Sequence, residues 1–169
     1  MKPLSTFYSL LFAFFLLATA AAAQTPKQLY RQFKKCDGAH SIFVPRLLFR
    51  IGGIIANKEA EDEDDKKGAR LLKRIHAVRI LSMDECSAHD CEAFQNALKH
   101  INTKGYDTVV YQKEDSEHVR ILTKIKKERI RELVIINTAE SEGNIILLRC
   151  NISPNDIATL VSDVKKMRK

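Results

Sequence analysis

Apolar residues recur at helical spacing where the folded part of the chain begins. Leu29, Tyr30 and Phe33 share one face of a helix predicted over residues 27–35, and Gly38 is a natural stop for it. The residues between them are mostly Lys, Arg and Gln. The pattern therefore predicts a short amphipathic helix that packs on a core.

A strand and a second helix follow directly. Residues 41–44 (SIFV) predict a short strand, and Pro45 suits the first turn of a helix. Gly52 and Gly53 each weaken that helix by about 1 kcal/mol, so we expect close packing or a kink there. The helix carries an apolar stripe made of Leu47, Leu48, Ile51, Ile54 and Ile55.

The second half of the chain predicts mainly strands, over residues 77–82, 107–113, 118–126, 129–138 and 144–150. The last four are joined by short polar connections. These favour antiparallel hairpins, because parallel pairing needs a crossover of about a dozen residues. Residues 132–136 and 145–148 are almost continuously apolar, which predicts central strands covered by helices or, on one face, by a dimer partner.

Helices flank the last four of these strands. One ends near Ile101 and begins at the segment CSAHDC. The last helix has Ser153 as its N-cap, Pro154 in its first turn and Asp156 at N3. Its predicted buried face comprises Ile157, Leu160, Val161 and Val164. The order of elements predicts a single α+β domain with a largely antiparallel sheet, a C-terminal four-strand meander and packed helices.

Residues 1–23 predict a signal peptide. Lys2 supplies a positive charge, residues 10–18 are apolar, and three alanines end at Ala23. A membrane anchor is the alternative, but the apolar run is shorter than the roughly 20 residues of a spanning helix. No cysteine lies at the cut, as a lipoprotein signal would require. We expect export to the periplasm or outer envelope and one domain over residues 24–169.

Residues 58–67 are dense in acids and contain no large apolar residue. This composition predicts a solvated acidic loop. A calcium site is the alternative, since Glu61, Glu63 and Asp65 alternate, but no glycine stands where a calcium loop needs its turn.

The formal net charge of +7 favours anionic lipid, polysaccharide or an acidic protein surface as a partner, although it also serves simple solubility. The strand over residues 118–126 has a basic stripe, predicted to face outward, made of His118, Arg120, Lys124 and Lys126. Leu122 interrupts it, and the predicted inward residues are Val119, Ile121 and Ile125. The stripe is a candidate docking surface; a solvated face or a charged edge is the alternative. Aromatic residues for stacking nucleic acid are missing, so no nucleic-acid partner is expected.

An even number of cysteines in an exported chain favours disulfides, and this chain has four: Cys36, Cys86, Cys91 and Cys150. With Ser87 as N-cap, Cys86 is N′ and Cys91 is N4, the two positions of a hydrophobic staple. A disulfide between them is predicted to contribute about 2 kcal/mol. Cys36 and Cys150 would then be the second pair, with two buried unpaired thiols as the alternative.

Three other interpretations of CSAHDC stay open: a reduced buried pair, a zinc site and a catalytic dithiol. His89 lies about 200° around the helix from Cys91, so one ion does not easily take both. Further zinc ligands would have to come from His40, His76 or Cys36, and no spacing suggests it. A redox motif has two intervening residues, and this segment has four.

Catalysis has little support in the sequence. No Gly-rich phosphate loop precedes a helix, and no G-x-S-x-G turn is present. No catalytic, cofactor-binding or metal-binding residue is predicted. The alternative is a small periplasmic hydrolase-type enzyme, with a site assembled only in the fold from His76, His118 and nearby carboxylates.

Several segments carry a family resemblance: a first helix closing in Asp37-Gly38, then SIFVPRLLF, RIHAVRIL, RELVIIN and LLRCNISPNDIATL. From about residue 27 to 160 the chain resembles the exported domain-of-unknown-function 4252 family of Bacteroidetes. The resemblance implies no activity and no catalytic residue. Members are often lipoproteins, whereas this chain has no cysteine at its predicted cut site. We expect an exported, non-enzymatic domain that binds an envelope protein or an anionic surface, with a homodimer through the sheet as a further hypothesis.

Overall fold

The computed structural model describes residues 23–114, 117–139 and 142–156. Residues 1–22 of the predicted signal peptide lie outside the described residues, and so does the last predicted helix from residue 157 onward.

A six-stranded sheet, antiparallel at every pairing, organises the fold. Its strands lie in the order β1-β2-β6-β5-β4-β3. Their bounds are His40–Pro45 for β1, Ile75–Ser82 for β2, Asp107–Glu114 for β3, Glu117–Lys126 for β4, Arg129–Thr138 for β5 and Gly143–Ile152 for β6. The predicted four-strand meander is confirmed, and the two apolar runs form the central strands β5 and β6.

Four helices lie entirely within the described residues: α1 at Pro26–Phe33, α2 at Arg46–Glu59, α3 at Glu63–Lys73 and α4 at Ala88–Lys99. Residues 154–156 are also helical. Helices and an antiparallel sheet in one domain confirm the predicted α+β class. The predicted caps are also present. Ser87 accepts the backbone N–H of Asp90 at 3.2 Å, and Ser153 accepts that of Asp156 at 3.3 Å.

The first face of the sheet carries the larger core. Helices α1 and α4 lie on it and contribute Phe33 and Phe94, whose rings meet edge to face with centroids 5.0 Å apart. Leu81, Leu122 and Ile145 are fully buried in the same cluster and mark this face on β2, β4 and β6. The first amphipathic helix therefore packs on the core as predicted.

The second face of the sheet carries a smaller cluster. Cys150 and Ile152 of β6 and Ile130 of β5 are buried there against Leu71 of α3. Side chains alternate along β6, so Leu147 belongs to the first face and these residues to the second. Helix α3 therefore covers part of the face opposite to α1 and α4.

The predicted acidic loop over residues 58–67 is wrong, because most of it is helical. Asp62 is the N-cap of α3 and accepts the backbone N–H of Asp65 at 2.8 Å. Acidic residues in a first helical turn are favoured by the helix dipole. Glu63 also pairs with Lys66 and Arg70 at 3.4 and 3.5 Å, so the charges that suggest a loop support a helix.

The predicted facing of β4 is also wrong. Leu122 is completely buried in the first-face cluster, and Arg120 shares its side of the strand. Ile125, predicted to face inward, is 46% exposed. The alternation is recognisable in the sequence, but the pattern alone does not show which side the helices cover.

Candidate interaction surface

The apolar residues of α2 face solvent. We call Leu47, Leu48, Ile51, Ile54 and Ile55 the α2 stripe; their exposed fractions run from 46% to 63%. Half-exposed aliphatic side chains grouped along one helix face are typical of interaction sites, whereas scattered ones are ordinary. The stripe is therefore the main candidate site among the described residues.

Gly53 explains why the stripe points outward. A Cβ at this glycine would lie 2.8 Å from Lys73 Cγ and 2.9 Å from the Ala69 carbonyl oxygen of α3. The glycine thus allows α2 and α3 to pack closely, which is one of the two predicted reasons for the glycine pair. Gly53 is about 200° around the helix from Ile51, so the side chains opposite the contact face away from the domain.

Strand β1 leads directly into α2 and forms one edge of the sheet. Ile42 and Phe43 are 55% and 54% exposed, one on each side of the strand. Arg79 stacks on the Phe43 ring, with its guanidinium carbon 4.8 Å from the centroid. The uncovered edge and the α2 stripe are therefore consecutive in the chain.

The opposite edge, β3, is built differently. Its pairing with β4 shifts register between Thr108 and Val110, and Lys113 lies near its end. Bulges and charged residues are devices that keep an edge strand from pairing with another chain. Val109 and Tyr111 are exposed on this edge. Strand β1 pairs with β2 without a register shift, and of the devices that protect an edge it carries only Pro45 at its end.

The predicted basic stripe does not form one surface. His118 and Arg120 line a cavity of about 240 Å³ beside Leu98 of α4. Lys124 instead lies over the Tyr106 ring, 5.5 Å from its centroid. The buried Leu122 separates the two pairs, and Lys126 is exposed at the end of the strand.

A second cavity, of about 180 Å³, lies where Tyr106 meets Glu132. The Tyr106 hydroxyl donates a 2.6 Å hydrogen bond to Glu132 Oε2. Burial raises the pKa of Tyr106, and the hydrogen bond to the carboxylate raises it further. Both cavities are smaller than the roughly 300–1,000 Å³ of usual small-molecule sites.

The two histidines of the hydrolase hypothesis are not brought together. His76 lies in β2 and His118 in β4, with β6 and β5 between them. Three strand spacings of about 4.8 Å separate these strands. Burial lowers the pKa of His76, and three nearby guanidinium groups lower it further. They belong to Arg46, Arg149 and Arg131. The structure therefore gives no shared site to this pair.

Three cysteines lie near one another beside the first-face core, Cys36, Cys86 and Cys91. All are free thiols; Cys91 Sγ is 2.9 Å from the Met83 carbonyl oxygen and Cys86 Sγ is 3.6 Å from Met83 Sδ. Burial raises the pKa of Cys86, and the neighbouring Cys91 and Cys36 raise it further. A thiol with a raised pKa is protonated at neutral pH, which disfavours nucleophilic chemistry.

Cys150 lies apart from these three. It is buried on the second face, and its thiol donates to the Ile130 carbonyl oxygen at 3.4 Å. Burial raises its pKa to about 11. Because Cys36 packs on the first-face core, the sheet separates the two residues of the predicted second disulfide.

Neither a metal cluster nor a spanning helix is found in the described part of the chain. No group of three or more His, Cys, Asp or Glu side chains is placed there to hold an ion. None of its helices combines the length and apolar character needed to cross a membrane.

The α2 stripe is recognisable in the sequence as a pattern, but its exposure is not. The usable signal is Gly53 with Ala56 on the side of the helix opposite Ile51 and Ile54. Small residues permit a close helix contact, and the large residues then face away from it.

Comparison with known proteins identifies a family. The family model described as "Domain of unknown function (DUF4252)" matches residues 33–160. No curated protein and no solved structure matches the chain.

Proposed function

The chain belongs to the DUF4252 family of domains of unknown function, and from that premise we propose that it is an exported, non-catalytic interaction domain of the bacterial cell envelope. Export is supported by the signal-peptide pattern of residues 1–23. Interaction is supported by one observation above others, the solvent-facing α2 stripe.

The chemistry of the described residues favours a binding function over a catalytic one. Its exposed groups are aliphatic, and the Cys36 and Cys86 thiols beside the core have raised pKa values. The cavities beside His118 and beside Tyr106 are smaller than usual small-molecule sites, and the histidines of the hydrolase hypothesis lie on separate strands. An exposed apolar surface binds another surface by excluding water from both.

Capture from native envelope extract tests the proposal. The wild-type chain is compared with Ile51→Glu/Ile55→Glu, which places two charges on the stripe. Val109→Glu is the matched control, because Val109 is 61% exposed on the opposite edge. We expect a protein retained by wild type and control and lost by the stripe variant. Equal capture by all three would contradict the proposal.

A further inference from the structure

We propose that the α2 stripe binds a second copy of this chain, through β1 and α2 arranged about a two-fold axis normal to the sheet. The inference rests on the proposed function, since it names the partner of the same surface. A symmetric dimer uses one surface twice, so the surface must complement itself.

The two sheet edges differ in a way that favours β1 pairing. The β1 sequence HSIFVP contains no Lys, Arg, Asp or Glu, and its residues Ile42 and Phe43 are about half exposed. The β3 edge has an irregular register and Lys113. Native proteins protect edges that must stay unpaired. Strand β1, whose only protective device is Pro45 at its end, is therefore the edge more available for strand addition.

Edge pairing also brings the two α2 stripes together. A two-fold axis normal to the sheet keeps the second face of both copies on the same side. Helix α2 packs on α3, which covers that face through Leu71. The two α2 helices then run antiparallel, with Ile51 and Ile54 near the axis because they lie at the middle of Arg46–Glu59.

The apolar area is suited to a dimer. A fully buried aliphatic side chain accounts for about 100 Å² of apolar surface. The stripe residues with Ile42 and Phe43 are about half exposed, so they supply about 350 Å² per copy. A standard interface buries about 800 Å² per partner, of which about 450 Å² is apolar. The stripe and the β1 edge therefore supply most of the apolar surface that a stable dimer needs.

Charge favours a second copy over an anionic membrane. Arg46 and Arg50 lie at the start of α2, whereas its end combines Lys58 with Glu59, Glu61 and Asp62, which leaves a net negative charge there. Antiparallel α2 helices place the basic end of each beside the acidic end of the other. The same acidic end would be repelled by anionic lipid.

Sedimentation equilibrium of the full chain over a wide concentration range tests the proposal. We expect a monomer–dimer equilibrium whose dissociation constant rises at least about a hundredfold in Ile54→Glu, because each dimer would bury two carboxylates. Val109→Glu should leave it unchanged. Circular dichroism checks that both variants fold. A monomer at all concentrations, or a dimer indifferent to Ile54→Glu, overturns the inference.

A photo-crosslinking amino acid in place of Ile51 identifies the occupant. The expected product has twice the mass and joins α2 to α2 of another copy, while the same probe at Val109 gives none. Crosslinks to lipid, to another protein or to residues 157–169 of the same chain overturn the inference. A chain that is monomeric, but whose stripe variant still loses capture of an envelope protein, would support the proposed function and contradict the dimer.

Discussion

Two glycines with similar backbone angles have different surroundings. Gly38 has φ +76° and Gly105 has φ +81°. A Cβ at Gly38 would lie 2.2 Å from the Glu85 carbonyl oxygen, whereas one at Gly105 meets nothing within 4 Å. Gly105→Ala should cost about 1–2 kcal/mol of unfolding free energy from the left-handed backbone alone. Gly38→Ala should cost clearly more unfolding free energy, because the backbone at Glu85 must also move. Urea unfolding measures both, and equal losses would contradict the account.

The hydrogen bond from Tyr106 to Glu132 predicts a pH-dependent stability. Tyr106→Phe should lower the unfolding free energy by about 1–3 kcal/mol at neutral pH, since Glu132 loses a donor. The folded pKa of Tyr106 is raised, so its contribution is fully present below the unfolded pKa of about 10 and is lost as pH rises towards the folded value.

Urea unfolding at neutral and alkaline pH checks this prediction. The difference between wild type and Tyr106→Phe should narrow above pH about 10. Tyr111→Phe is the control, because Tyr111 is 63% exposed. A difference that does not change with pH would contradict the assignment.

The cysteines predict a selective oxidation pattern. Cys86 and Cys91 occupy the staple positions, but both are free thiols in the structure, so the predicted disulfide is not formed there. On oxidation, the bond predicted from the sequence joins these two. Cys150 should remain reduced and react slowest with alkylating reagents, because it is 2% exposed and its pKa is raised to about 11. Peptide mapping under non-reducing conditions measures both, and any bond to Cys150 would contradict the separation of the two faces.

At the scale of elements, the adjacent glycines of α2 make a matched pair. Gly52→Ala should stabilise the chain by about 0.5–1 kcal/mol, because a Cβ there meets nothing within 4 Å and alanine favours the helix. Gly53→Ala should destabilise it, because the new Cβ would press against Ala69 O and Lys73. Thermal unfolding followed by circular dichroism distinguishes them; a shift of the same sign in both would be inconsistent with the α2–α3 contact.

Local patterns predict elements better than their surroundings. The caps at Ser87 and Ser153 are recognisable because a cap depends on residues within one turn. The exposure of the α2 stripe depends on Gly53 meeting Ala69, sixteen positions away in sequence, and no helical period records that contact. The facing of β4 likewise depends on where α1 and α4 pack. In the acidic run of α3, the high charge density predicts a loop. The same charged residues supply the N-cap and the ion pairs of a helix, which the composition alone does not indicate.

At the scale of the whole molecule, stability is unevenly distributed. Among the described residues, the first-face cluster buries thirteen side chains and the second-face cluster four. Helix α2 contributes only Gly53 to the buried set. The α2–α3 pair therefore has less apolar burial holding it to the sheet than α1 and α4 have, which makes it the candidate for local opening.

Hydrogen exchange of the full chain tests this distribution and the dimer together. At low concentration, amides of β5 and β6 should exchange only with global unfolding, while those of α2 exchange through a lower-energy local opening. Raising the concentration should protect α2 and β1 selectively, because dimer formation stabilises only the elements it covers. Val109→Glu should keep that concentration dependence and Ile54→Glu should lose it. Protection of α2 equal to that of β5 in the monomer would contradict the uneven core, because it would require α2 to be held by burial that the described residues do not contain.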